Sequence, residues 1–463
     1  MMNYEYLKII DDKADMLDTA SDYLWDNPET AFTEFKAAAY YCDILRKEGF
    51  TVEENLANIS TAFSGSFGRG KPIIGILGEF DALSGMSQLS GVTDEISAGG
   101  SCGHGCGHNL FGIAALGAAI AVKKYLESAN VSGTVVFYGC PGEEGGSGKG
   151  FMARDGVFDR VDAALTWHPR DDTRVCNNSS LANCQVLYKF DGVASHAGAK
   201  PHLGRSALDA CELMNVGVQF LREHIPTSCR IHYAITNTGG FSPNVVQPHA
   251  EVLYLMRGVD NKIVKELYER VNNIAEGAAL MTGTKASHEF IKACSNTILN
   301  SPIQRMLQTK MEEIGSPEPT AEDVAFAKEM TEKALMDFPG ADPEHPIHWE
   351  VAPYHETEGM NFSSTDVGDV SWVCPTAQIY TSTFAKATPL HSWQLLAQGK
   401  MPLAHRMMRY AAKVMAAGAV ELMTNNNLLE EAKADHARRV GPEGYQAPIP
   451  KDVMPKAMDS FSK

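Results

Sequence analysis

Residues 134–146 read TVVFYGCPGEEGG: five consecutive apolar or β-branched residues, then a glycine- and proline-bearing turn that carries two adjacent glutamates. A run this short, with no polar alternation, predicts a strand buried on both faces, and the turn marks where it ends. The same grammar recurs twice. Pro72–Gly78 (PIIGILG) is followed by Glu79-Phe80-Asp81, and Ala163–Trp167 is followed by His168-Pro169. Between these runs lie helical stretches at Asn109–Leu126 and Ser147–Asp155. Before them come two more, Tyr4–Leu24 and Glu29–Lys47, broken at Asn27-Pro28. Buried strands alternating with helices predict an α/β fold, a mostly parallel central sheet with helices on both faces.

The pattern changes after residue 184. Strands at Gln185–Gly192, Arg230–Thr236, Glu251–Met256 and His288–Ala293 alternate with helices at Ser206–Arg222 and Asp260–Met281, with Asp260 as N-cap. Strand–helix–strand–strand–helix–strand is the ferredoxin-like α+β order. Helices at Pro302–Ile314, Ala321–Leu335 and Met401–Met423 and a strand at Ala377–Thr381 resume the first pattern, around an acidic loop, FPGADPEHP (338–346), for which the sequence suggests no role. The chain therefore divides into a catalytic domain in two parts, 1–184 and 297–463, with 185–296 inserted.

Composition narrows the functions. With 40 Lys+Arg against 57 Asp+Glu in 463 residues, net charge −17, and no basic block, the chain has no face suited to a nucleic-acid backbone. Its longest apolar run, Leu110–Val122, is shorter than the ~20 residues of a membrane span. The first residues, MMNYEYLKIIDDKADML, are charged and amphipathic, unlike a signal peptide. Ten scattered cysteines suit reduced thiols in the cytoplasm better than a disulfide framework.

Side chains at the carboxyl ends of neighbouring parallel strands converge in space. A fourth cluster, Cys102-Gly103-His104-Gly105-Cys106-Gly107-His108, directly precedes the Ala-rich helix. Singly, His168 reads as a hydrogen-bonded structural histidine and the glutamate pair as solvated surface. The glycines beside Cys106 leave no side chains to bury its thiol, so packing does not account for it. Together, thiolate, imidazole and carboxylate suit zinc, manganese or cobalt. If Glu143 and Glu144 lie in extended chain they point to opposite sides, one to bind metal and the other to serve as base. That is the equipment of a metal-assisted hydrolase.

The ordered set Glu79-Phe80-Asp81-Ala82-Leu83, His104–Asn109, Pro141–Gly145, Trp167-His168-Pro169, Ser195-His196-Ala197 and Leu390-His391-Ser392 resembles the M20 metallopeptidase family, in its amidohydrolase branch, over nearly the whole chain. GHGCGHNL, YGCPGEEGGSGK, PHLGRSALDA, SPNVVQ, EVLYLMR and STDVGDVSW are most similar to the B-type subunits that act on p-aminobenzoyl-glutamate. The resemblance implies two divalent metal ions, zinc or manganese, on Cys106, His108, Glu144, His168 and His391, with Cys106 where related peptidases place a bridging Asp. It implies Glu143 as general base. It makes the inserted domain a lid and dimer interface, from which His196 reaches the partner's site to bind the oxyanion. Asn244 and Arg257 become a lid pair for the substrate carboxylate. Without the resemblance, Arg257 reads equally well as an ion-pair partner of Asp260, and His196 as a surface histidine. Asp81 is left as a ligand-orienting or structural residue. One departure stands out: the branch motif continues Cys-Gly-His with Asp and, two residues later, His, where this chain has Asn109 and Phe111.

The expected activity is hydrolysis of an N-acyl amino acid, p-aminobenzoyl-glutamate first, by a homodimer or by a heterodimer with a related A-type chain. The second reading is a dipeptidase or general N-acyl amino acid hydrolase. The third is a non-catalytic partner chain, weakened by the intact set of ligands and base.

Overall fold

The computed structural model describes residues 4–129, 131–356 and 359–457. They form two compact units: one from residues 1–178, 298–359 and 370–445, the other from 179–297, 360–369 and 446–463, within the described limits.

In the first unit four strands, Gly133–Cys140, Ile73–Glu79, Ala163–Arg170 and Thr376–Ser382, lie side by side and parallel. Antiparallel strands Phe63–Arg69 and Thr51–Glu54 extend one edge; Asp172–Val175 and His348–Val351 extend the other. The continuous apolar runs have the expected cause. Phe137 stacks on Tyr41 on one face of the sheet, while its neighbour Tyr138 meets Phe158 edge-on on the other. Both faces are covered, so no residue alternates to polar. The first face carries His108–Ala129, whose small residues let it lie against the sheet and against Pro402–Thr424. Among the described residues it alone is long and apolar enough to cross a membrane, and 83% of its most apolar window is buried in this core.

Two local expectations are corrected. The second N-terminal helix begins at Phe35, not Glu29. Residues 29–34 instead leave the helical path: Phe32 has φ 63° and Thr30 bridges to Ala82. Tyr4–Leu24 is likewise interrupted at Lys13, between helices Lys8–Asp12 and Ala14–Asp26.

The second unit holds an antiparallel sheet in the order Arg230–Asn237, His249–Gly258, Ala182–Asp191, Lys285–Cys294. Helices Ala207–Arg222 and Asn261–Thr282 complete the split βαβ arrangement. Asp260 caps its helix as expected, accepting from Ile263 N–H (2.8 Å), and Ser206, expected as a helical residue, instead caps Ala207–Arg222 by accepting from Asp209 N–H (3.0 Å).

Candidate metal centre

Six of the nine expected site residues gather at the carboxyl end of the parallel sheet in the first unit. Their donor atoms, joined in the third group by the unexpected Glu79, form overlapping trios, Cys106–His108–His168, Cys106–Glu144–His391 and His108–Glu143–Glu79, each within 4.8 Å. Cys106 belongs to the first two, which suits a thiolate shared between two cations.

Chain geometry explains the convergence. Gly107, at φ 73°, turns the chain into the first residue of the His108–Ala129 helix, and a Cβ there would lie 2.7 Å from Pro169 Cγ. That close approach brings Cys106 Sγ to 3.3 Å from His168 Nε2. It also corrects one inference: the flanking glycines do not leave the thiol open but let Pro169 and Met86 close in, and Cys106 is buried. Burial and the nearby Glu144 charge push its thiol up, so the thiolate needs a compensating positive charge. His104 faces away, its Nε2 3.1 Å from Leu24 O, and Cys102 bonds Pro28 O.

Glu143 and Glu144 do not lie in extended chain, which is a second correction. Gly142 is left-handed (φ 66°), and Glu144, at ψ 86°, breaks a short helical turn spanning Glu143–Gly146. The two side chains are still separated, because this turn sends Glu143 to the trio with His108 and Glu144 to the one with His391. Glu34, not anticipated, holds the turn: its carboxylate accepts from Gly142 N–H (2.8 Å) and Thr61 Oγ1 (2.9 Å). Burial and the Asp81 charge push Glu34 up to about 8.

Asp81 orients two ligands. One carboxylate oxygen and its own carbonyl each accept from His108 Nδ1 (3.1 Å), and the other carboxylate oxygen accepts from Glu144 N–H (2.8 Å). Burial opposes its charge, but these bonds keep its pKa below the ordinary carboxylate value. With Nδ1 as donor, His108 presents Nε2 to the cluster. His168 Nδ1 bonds Pro169 O (2.8 Å), and burial with the His108 charge pushes the ring down to about 3, leaving it neutral. His391 is held by its N–H to Gly105 O (2.8 Å), adopts φ 58°, and sets Nε2 3.0 Å from Glu144 Oε1.

Two atoms test whether this set fits a cation. His108 Nε2 and Glu144 Oε1 are buried and make no hydrogen bond among the described residues, although oxygen or nitrogen lies within 3.2 Å of each. Imidazole, thiol and carboxylate donors crowded together at these distances suit a cation among them, and the soft–hard mixture suits zinc or manganese. The departures from the branch motif have structural work of their own. Asn109 Nδ2 donates to Ser21 Oγ and Gly399 O (3.1 Å each), and Phe111 packs edge-on against His168 (5.7 Å).

The remaining three residues belong to the second unit. His196 is exposed and bridges to Val245, and Ala197 N–H donates to Asn244 O (2.9 Å), so His196 and Asn244 share one surface. Backbone N–H groups of Gly198 and Ala199 donate to His196 Nδ1 (3.1 Å each), which places the ring hydrogen on Nε2. Arg257 lies not at the end of a fully apolar strand but on the half-exposed row of His249–Gly258, and donates to Ser364 Oγ (2.7 Å). Asp260 caps its helix.

Comparison with known proteins agrees with this geometry. Residues 76–362 match the model of peptidase family M20/M25/M40. The chain is 48% identical over 458 residues to the B-type subunit of p-aminobenzoyl-glutamate hydrolase from Escherichia coli K12, covering 95% of each chain. It is 28% identical over 260 residues to the A-type subunit of that enzyme from the same organism, covering 52% of this chain and 59% of that one. In fold it is similar to a dinuclear metal-binding M20 peptidase from Bacillus subtilis (TM-score 0.56, 16% identity, 89% of this chain and 98% of the other). Matched over more than half its length by the family model and over nearly all of it by a hydrolase chain, the protein is a hydrolase belonging to peptidase family M20/M25/M40.

Proposed function

We propose that the chain is a metal-dependent amidohydrolase that cleaves p-aminobenzoyl-glutamate to p-aminobenzoate and glutamate. The observation that carries this reading is Cys106 standing in two donor trios at once, with the Glu143 carboxylate beside them. Two divalent cations, zinc or manganese, held by Cys106, His108, Glu144, His168 and His391 would polarise the scissile carbonyl and acidify the attacking water. Glu143, half-buried at this site, accepts the water's proton and delivers it to the departing amine. His196, with its hydrogen on Nε2, donates to the oxyanion. Asn244 and the Arg257 guanidinium take the free carboxylate of the substrate.

The segment 185–296 acts as lid and dimer interface, bringing His196 to the partner's active site. Two observations support a partner there. Arg230–Asn237 is an edge strand with Tyr233 and Ile235 exposed, and helix Ala207–Arg222 exposes Leu213, Val216 and Phe220 at helical spacing. The partner is a second copy of this chain or an A-type relative. All ten cysteines are free thiols, which supports a reducing, cytoplasmic setting.

The test is an assay of the purified chain, alone and mixed with an A-type chain, against acyl-glutamates and dipeptides. Fastest cleavage of p-aminobenzoyl-glutamate, lost on chelation and restored by zinc or manganese, is expected. Undiminished activity in metal-free protein would end the proposal, and preference for dipeptides would move the substrate to the second reading.

A further inference from the structure

Glu79 and Lys149 remain outside the mechanism above, yet they lie against it. Lys149 is fully buried, which is unusual for lysine, and its ammonium stands 2.8 Å from Glu79 Oε1. The other carboxylate oxygen of Glu79 lies 3.2 Å from His108 Nε2. That nitrogen makes no hydrogen bond among the described residues, and Nδ1 of the same ring is already committed to Asp81. The carboxylate oxygen and the imidazole nitrogen belong, with Glu143, to one trio of potential metal donors lying within 4.8 Å of one another.

Donors bound to one cation at ~2.1 Å stand ~3.0–3.4 Å from each other in octahedral or tetrahedral geometry. The pair Glu144 Oε1 and His391 Nε2 shows the same kind of separation, 3.0 Å. We propose that Glu79 is a further protein ligand of the cation on His108, and that Lys149 is the positioning residue that takes one carboxylate oxygen and leaves the other for the metal. The proposal rests on the metal-dependent reading and adds to its ligand set. It gives a physical reason for a buried ammonium so close to cations: Lys149 neutralises a carboxylate that binds through one oxygen alone, and it fixes which oxygen that is.

Glu79→Gln alone would take from the buried Lys149 ammonium the carboxylate 2.8 Å away and endanger folding. The decisive variant is Glu79→Gln with Lys149→Met, which removes both charges at nearly constant volume. Its thermal unfolding midpoint should remain close to that of the parent chain. Two readouts are then taken with Co²⁺ as the probe: affinity by chelator competition, and visible absorption of the bound ion. The expected result is binding weakened about 10–100-fold or more at one of the two positions, with an altered absorption spectrum at that position because one donor is gone. Unchanged affinity overturns the proposal. So does weaker affinity with an unchanged spectrum, since Glu79 would then act from outside the coordination sphere. A parent chain that binds no cation at all contradicts the metal reading itself, whereas a parent that binds two and a variant that matches it contradicts only the role of Glu79.

Discussion

Replacing Asp81 by Asn tests how the centre is held together. The carboxylate uses one oxygen to accept from His108 Nδ1 at 3.1 Å and the other to accept from Glu144 N–H at 2.8 Å. An asparagine keeps one acceptor oxygen and turns the second into an NH₂ group, which must then face a donor. One of the two bonds is lost whichever way the amide lies, and the negative charge that favours a metal-bound imidazole goes with it. Loss of such an orienting partner costs about 10–100-fold in metal affinity, or about 1.4–2.8 kcal/mol. The assay is chelator competition for zinc on the parent and Asp81→Asn chains, with circular dichroism to confirm that both are folded. A folded variant that binds zinc as tightly as the parent would refute the reasoning, because Asp81 would then be a packing residue beside the site.

Two more outcomes are expected. Arg257→Ala should raise KM steeply for substrates with a free carboxylate and change little for an amide-capped analogue; an equal change in both would return Arg257 to its bond with Ser364. The lid can be tested in trans by refolding His196→Ala and Glu143→Ala chains together, each inactive alone. Random pairing makes about half the dimers hybrids, so activity should return to roughly a quarter of the parent value per chain. No recovery, with hybrids confirmed by mass, would show that His196 does not serve a partner's site.

The parts of this molecule that can be read from its sequence are those under a simple constraint. Strands at Ile73–Glu79, Gly133–Cys140 and Ala163–Arg170 carry mostly apolar, buried runs before their carboxyl ends because both their faces are covered. The edge strand Thr51–Glu54 and its neighbour Phe63–Arg69 are illegible, since exposed polar residues dominate the first and serines and glycines interrupt the second. Helix Asn426–Val440 escapes sequence reading as well, burying only Leu429 and Ala432 and so carrying a weak apolar stripe. At the site, Cys106, His108, Glu144 and His168 can be suspected because each directly follows or precedes a buried element. His391 lies far along the chain, with no local signal, and only family resemblance reaches it. Glu34 hides inside an expected helix. Lys149 looks like an ordinary helix-surface lysine, because nothing local in sequence reveals that Glu79 waits beside it.

The central claim is that one glutamate of an adjacent pair moves protons while its neighbour holds metal. Glu143→Gln measures this most directly, with bound metal quantified by mass spectrometry and kcat determined on p-aminobenzoyl-glutamate in the same preparation. The account expects metal content equal to that of the parent chain and a kcat lower by about 10²-fold or more. A variant that keeps its rate, or one that loses its metal together with its rate, would contradict it.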